Sequence, residues 1–188
     1  MKENTLPYSR IPKFPSFHRE PNGLSIKQNV EDIENVRVLD YNSIFMLVKK
    51  HVKEITGLER SGIGLALSDL PSALGAFWEV SGNYLVVNEL LVKGLQIHGV
   101  SSLELNSYVY SILLHEYLHS LGFIDEQEDR NVVEYVSEKS FGKDHPITAI
   151  AKSNPWAIYP FLLNIPGGNG STMRFVRNFD RESTSYIM

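Results

Sequence analysis

Residues 101–125 read SSLELNSYVYSILLHEYLHSLGFID, and the fold turns on how this stretch is read. Ser101 and Glu104 have the spacing of a capping box. Gly122 stands where a helix would stop, so the spacing predicts a helix from about 102 to 121. Val109, Tyr110, Ile112, Leu113, Leu114, Tyr117, Leu118 and Leu121 cover nearly every direction around it. A helix that is apolar on all sides is buried. At about 100° per residue, His115 and His119 lie about 40° apart on one face, one turn from each other. Two imidazoles so placed can reach one ion. Burying them with Glu116 and no partner would cost several kcal/mol, and a metal removes that cost. Glu116 lies about 100° round from His115, where it can face a water at the ion without binding the ion itself. Ser111 and Gly122 leave room on the histidine face.

Cysteine is absent. Disulfides, thiol nucleophiles and thiolate-held zinc are therefore excluded, and any metal must be held by His, Asp or Glu. The chain has 188 residues, 43% hydrophobic and 21% charged, as expected of one globular domain. Its net charge of −4 and lack of a basic stripe argue against nucleic acid as a partner. No apolar stretch is long enough to span a bilayer. Residues 1–19 have no apolar signal-like core, so a cytoplasmic location is the expectation.

Working outward, residues 1–24 carry Pro7, Pro12, Pro15 and Pro21 among Leu6, Tyr8, Ile11, Phe14 and Phe17. They read as an extended arm before a single domain over 25–188, with a cleft between 25–122 and 123–188. Residues 33–39 alternate as a strand would. A helix follows over 41–55, capped by Asp40 and stopped by Gly57; His51 falls on its apolar side as a packed core histidine. Strands are expected at 63–69, 74–80 and 83–88, the last two joined by Ser81-Gly82-Asn83. A short helix at 89–96 leads to His98, read as structural. Residues 126–141 form another helix. The fold class is α+β: a small mixed sheet packed on the long 102–121 helix, with a C-terminal helical or irregular subdomain.

The motif His115-Glu116-x-x-His119-x-x-Gly122-x-x-Asp125 resembles that of the zincin metallopeptidases, in the metzincin-like variant with Asp as third ligand. The resemblance implies Zn²⁺ held by His115, His119 and Asp125, with Glu116 as general base in the hydrolysis of a peptide or protein substrate. It also implies that 77–80 or 84–88 forms an edge strand for an extended substrate, and that a methionine lies in a turn beneath the metal, with Met173 and Met188 as candidates. Tyr159 or Tyr186 could steady an oxyanion. The spacing without the glutamate also resembles a family of metal-dependent ribosomal-RNA endoribonucleases, which is the alternative activity. A third reading is a non-catalytic or self-inhibited zinc protein, its cleft filled by the proline-rich arm or by the tail after Gly170.

The residues themselves leave the third ligand open. Asp125 doubles as a capping residue for the 126–141 helix. Glu134 and Glu138 point away from the apolar face set by Val132, Val133 and Val136, whereas Asp129 lies on that face. His145, in the turn before Pro146, is a further candidate, although Asp144 could simply cap the helix beginning there.

Overall fold

The computed structural model describes residues 23–180. Residues 1–22, most of the expected 1–24 arm, and residues 181–188, with Tyr186 and Met188, lie outside the described residues. The chain is α+β. Among the described residues there are seven α-helices and a four-stranded mixed sheet: α1 Gly23–Asn35, α2 Tyr41–Thr56, β1 Gly64–Ser68, β2 Ala76–Trp78, β3 Tyr84–Asn88, α3 Glu89–Ile97, α4 Ser102–Ser120, α5 Glu126–Phe141, α6 Pro146–Lys152, α7 Pro155–Ile158 and β4 Met173–Phe175.

The helix α4 is the axis of the molecule. Its capping box is complete: Ser101 accepts from the Glu104 amide, and Glu104 reaches back to the Ser101 amide. Tyr108, Val109, Tyr110, Leu113, Leu114, Tyr117 and Leu118 are fully buried. Each such large apolar side chain stabilises the fold by roughly 1.5–3 kcal/mol. They meet α1, α2, α3, α5, α6, β2 and β3 on different sides, which is what an apolar surface all round requires.

The sheet order is β2-β3-β1-β4. β1 and β3 are parallel, and β2 and β4 join them antiparallel at opposite edges. Strand alternation sends Leu65, Leu67, Leu85 and Val87 into the main core, while Ala66 and Val86 form a smaller cluster with Leu70 and Phe77 on the other face. Arg60 pins the β2–β3 turn to the end of α4. Its guanidinium donates to the carbonyls of Ser120 and Gly82 and to Asn83 Oδ1, and its backbone exchanges hydrogen bonds with the Tyr117 hydroxyl.

The expected strand at 33–39 is absent. Residues up to Asn35 are helical, with Asn29, Val30 and Ile33 at helical spacing turned toward the core. A turn follows, with Leu39 at φ 58°. Buried Asn106 on α4 stabilises that turn by accepting from the Leu39 amide and donating to the Val36 carbonyl. The period of 3.6 thus runs through Ile33, and the later alternation of Val36 and Val38 is that of a turn.

The remaining expected elements are present: the 41–55 helix with Asp40 and Gly57 as caps, the three strands, and the 89–96 and 126–141 helices. His51 is fully buried, its Nδ1 2.9 Å from the Tyr110 hydroxyl. His98 stacks on Phe161. Among the described residues, no helix is long and apolar enough to cross a membrane.

Candidate metal centre

The centre is built where α4 ends and α5 begins. Gly122 follows the C-cap Leu121 with φ 108°, a backbone state that favours glycine. The turn is a Schellman motif: the Phe123 amide donates to the Leu118 carbonyl and the Gly122 amide to that of His119. The chain thereby doubles back over the last turn of α4. Two consequences follow. The Phe123 carbonyl arrives 2.6 Å from His119 Nδ1, and the first turns of α5 face the two histidines.

Asp129 and Glu126 are the α5 carboxylates that meet them. Asp129 is fully buried, with Oδ2 2.6 Å from His115 Nδ1 and Oδ1 3.9 Å from His119 Nδ1. Neither oxygen has a well-aligned hydrogen-bond donor. Glu126 reaches in from the solvent side. Its Oε1 is 3.3 Å from His119 Nε2 and its Oε2 3.8 Å from His115 Nε2. The two Nε2 atoms are 3.1 Å apart.

These distances assign the tautomers. A carbonyl oxygen cannot donate, so His119 carries its proton on Nδ1. Asp129 Oδ2, 2.6 Å from His115 Nδ1 in a contact too poorly aligned for a regular hydrogen bond, favours a proton on that nitrogen. Each neutral ring then has its lone pair on Nε2. Two lone pairs then converge at 3.1 Å, with Glu126 beside them and Asp129 behind His115. Such an approach calls for a shared proton or a metal ion between the rings.

Three groups of the cluster titrate away from their ordinary values. Burial pulls the His115 pKa down, but Asp129, backed by Glu116 and Glu126, outweighs it and holds the imidazole above its ordinary value. Desolvation raises Asp129 against the pull of His115. Desolvation likewise pushes Glu116 up to about 7, with His115 and His119 drawing it down and Asp129 opposing them.

His115, His119 and Asp129 each offer a ligand atom within 4.8 Å of the others, so this group could hold a metal ion. Asp125, nominated by the motif spacing, is engaged elsewhere: it is the N-cap of α5 and accepts from the Glu128 amide at 2.9 Å. Glu138 pairs with Lys152 and Lys143. Glu134 lines the cleft without joining the cluster. His145, not Asp144, caps α6, its Nδ1 accepting from the Ile147 amide and its ring stacked on Phe141. Met173 is on β4, the sheet edge opposite β2, and half exposed, so it is not in a turn beneath the histidines.

Glu126 carried no weight in the sequence. It reads there as a first-turn acidic residue at a helix N-terminus. Asp129 carried a stronger signal, a lone carboxylate on an apolar helix face.

The centre opens into a cleft of about 1020 Å³. β2 forms one side with Phe77 and Trp78, α4 the floor with Ile112, and Val133, Ile150 and Trp156 the far side. β2 is an edge strand. The Asn88 amide bonds to the Gly75 carbonyl, so by alternation the backbone groups of Ala76 and Trp78 face away from β3. The Trp78 backbone lies near Glu116 and slightly lowers its pKa. Tyr159 is buried and does not line the cleft, and no other described tyrosine does.

Comparison of the chain with protein-family models, with curated protein sequences and with solved structures returns no match.

Proposed function

We propose that the protein is a zincin-like, zinc-dependent metallopeptidase. The observation that carries this reading is the pair of Nε2 lone pairs facing each other at 3.1 Å, with a buried carboxylate behind one ring and a carbonyl behind the other. Ligands at about 2.0–2.1 Å around tetrahedral zinc stand about 3.3 Å apart, close to this separation. The donor set is all nitrogen and oxygen, which suits zinc.

When bound, zinc lowers the pKa of water toward ~7 and polarises a carbonyl. The residues of the chain supply the rest. Glu116 lies beside the two histidines and lines the cleft. Its carboxylate takes the proton of the attacking water and returns it to the leaving amine. The outward edge of β2, at Ala76 and Trp78, is oriented to pair with an extended peptide, which would set the scissile bond over the histidines. The apolar walls favour a peptide with bulky apolar side chains near that bond.

The test uses a mixture of quenched fluorescent peptides with the zinc-loaded chain. Cleavage is expected from wild type. Glu116→Gln keeps the shape of the side chain but cannot take a proton. Its rate is expected to fall about 10²–10⁴-fold with zinc retained. Cleavage by the variant at the wild-type rate removes Glu116 as base. Zinc-loaded wild type that cleaves no peptide removes the peptidase reading.

A further inference from the structure

We infer that Glu126 is the third protein ligand of the metal, and that Asp129 is a positioning residue holding His115 for it. This rests on the metal-centre reading and deepens it. Each imidazole offers one lone pair, and both of these are on Nε2. The ion must then lie on the Nε2 side of both rings. There, Glu126 puts its two oxygens 3.3 and 3.8 Å from the two Nε2 atoms. Both separations are near the tetrahedral edge of about 3.3 Å. Asp129 is on the other side of the His115 ring, at Nδ1.

A centre on the Nδ1 side is blocked, because the Phe123 carbonyl already occupies His119 Nδ1. Burial points the same way. Asp129 has no exposure and touches the cluster through His115 Nδ1, as suits a carboxylate that orients a ligating ring from behind. The Glu126 side chain is 64% exposed. It stands at the mouth of the cleft, where a ligand can close the ion's shell on the protein side and leave a position open toward Phe77 and Trp78.

Three carboxylates at the start of α5 therefore divide the work by helical phase. Asp125 caps α5. Glu126, one residue on, projects over the Nε2 atoms. Asp129, one turn further, lies under His115.

The experiment measures zinc stoichiometry and affinity for wild type, Glu126→Gln and Asp129→Asn by competition with a chromophoric chelator. It adds the visible spectrum of each cobalt-substituted protein and the proton resonance of His115 Nδ1–H in the zinc form. Wild type is expected to bind one zinc with a four-coordinate cobalt spectrum. Glu126→Gln should lose affinity on the order of a hundredfold or more and change the cobalt spectrum, while the Nδ1–H resonance persists. Asp129→Asn should lose on the order of 10–100-fold, keep the cobalt band shape and shift or lose that resonance. Because Glu126 is exposed, its variant folds whether or not Asp129→Asn does, and its result alone decides the ligand. Wild-type affinity and spectrum in Glu126→Gln overturn the assignment while leaving a metal centre in place. A wild-type chain that binds no zinc overturns both.

Discussion

Replacing Gly122 with alanine probes the turn on which the centre depends. Gly122 has φ 108° and nothing within 4 Å of where a Cβ would stand. The cost is therefore backbone strain, roughly 1–2 kcal/mol, with no clash. Gly57 provides the control. It ends α2 at φ 75°, also with nothing within 4 Å, and is not part of the metal cluster. Both substitutions should lower the unfolding free energy by about 1–2 kcal/mol, or the Tm by roughly 2–8 °C for a chain of this size. Only Gly122→Ala should also weaken zinc binding. Any relaxation of its turn moves the Phe123 carbonyl off His119 Nδ1 and swings the start of α5. Loss of such support behind a ligating histidine typically costs about 10–100-fold in affinity. Urea unfolding and zinc titration of the three proteins give both quantities. If Gly122→Ala binds zinc like wild type while losing stability, the turn does not hold the histidine in place and the reasoning from the Schellman motif fails.

Further outcomes follow from the buried polar groups. Burial, with Lys50 nearby, pushes the His51 pKa down to about 3, and burial pushes His145 down to about 4. Below about pH 6.5 the unfolded chain takes up protons that these folded imidazoles refuse, so stability falls as pH drops from there toward 4, by about 1.4 kcal/mol per unit for each ring. In urea unfolding at pH 7, 6 and 5, His51→Phe should have a shallower slope than wild type by about that amount; equal slopes would show that His51 does not enter the acid response. Asp180 receives Lys49 at 2.5 Å and the Ile63 amide at 3.0 Å, both within the core. Asp180→Ala removes the anion on which buried Lys49 rests and should cost about 3–5 kcal/mol, read as a shifted urea midpoint. A loss under 1 kcal/mol would mean that the pair is screened by water.

The central helix was legible because three independent signals coincide on it: a capping box at Ser101, an apolar surface all round, and a stop at Gly122. The caps Asp40 and Gly57 defined α2 in the same way. α1 was not legible. Its apolar residues are sparse, its buried Asn29 looks polar, and its continuation at Val36 and Val38 alternates like a strand. The core packing of Asn29, which donates to the Ser140 carbonyl on α5, is a tertiary fact that local pattern does not carry.

The site divides along the same line. His115, Glu116 and His119 follow from spacing on one helix. The carboxylates come from a second helix whose phase depends on the turn between them. The wheel that set Glu134 and Glu138 aside already placed Asp129 on the apolar face, and a carboxylate there needs a partner. Glu126 had no such mark. Its position over the Nε2 atoms exists only once the Gly122 turn has reversed the chain. Met173 shows the converse: a strong glycine-rich loop signal precedes it, yet the chain resumes as an edge strand rather than a turn under the metal.

The most direct test of the metal centre is elemental analysis of the chain after equilibration with zinc and removal of free metal. One zinc per chain is expected for wild type, and essentially none when His115 and His119 are both replaced by alanine. A wild-type chain that emerges without metal, or a double variant that retains it, would contradict the centre. The 3.1 Å approach of the two Nε2 atoms would then have to be held by a shared proton instead.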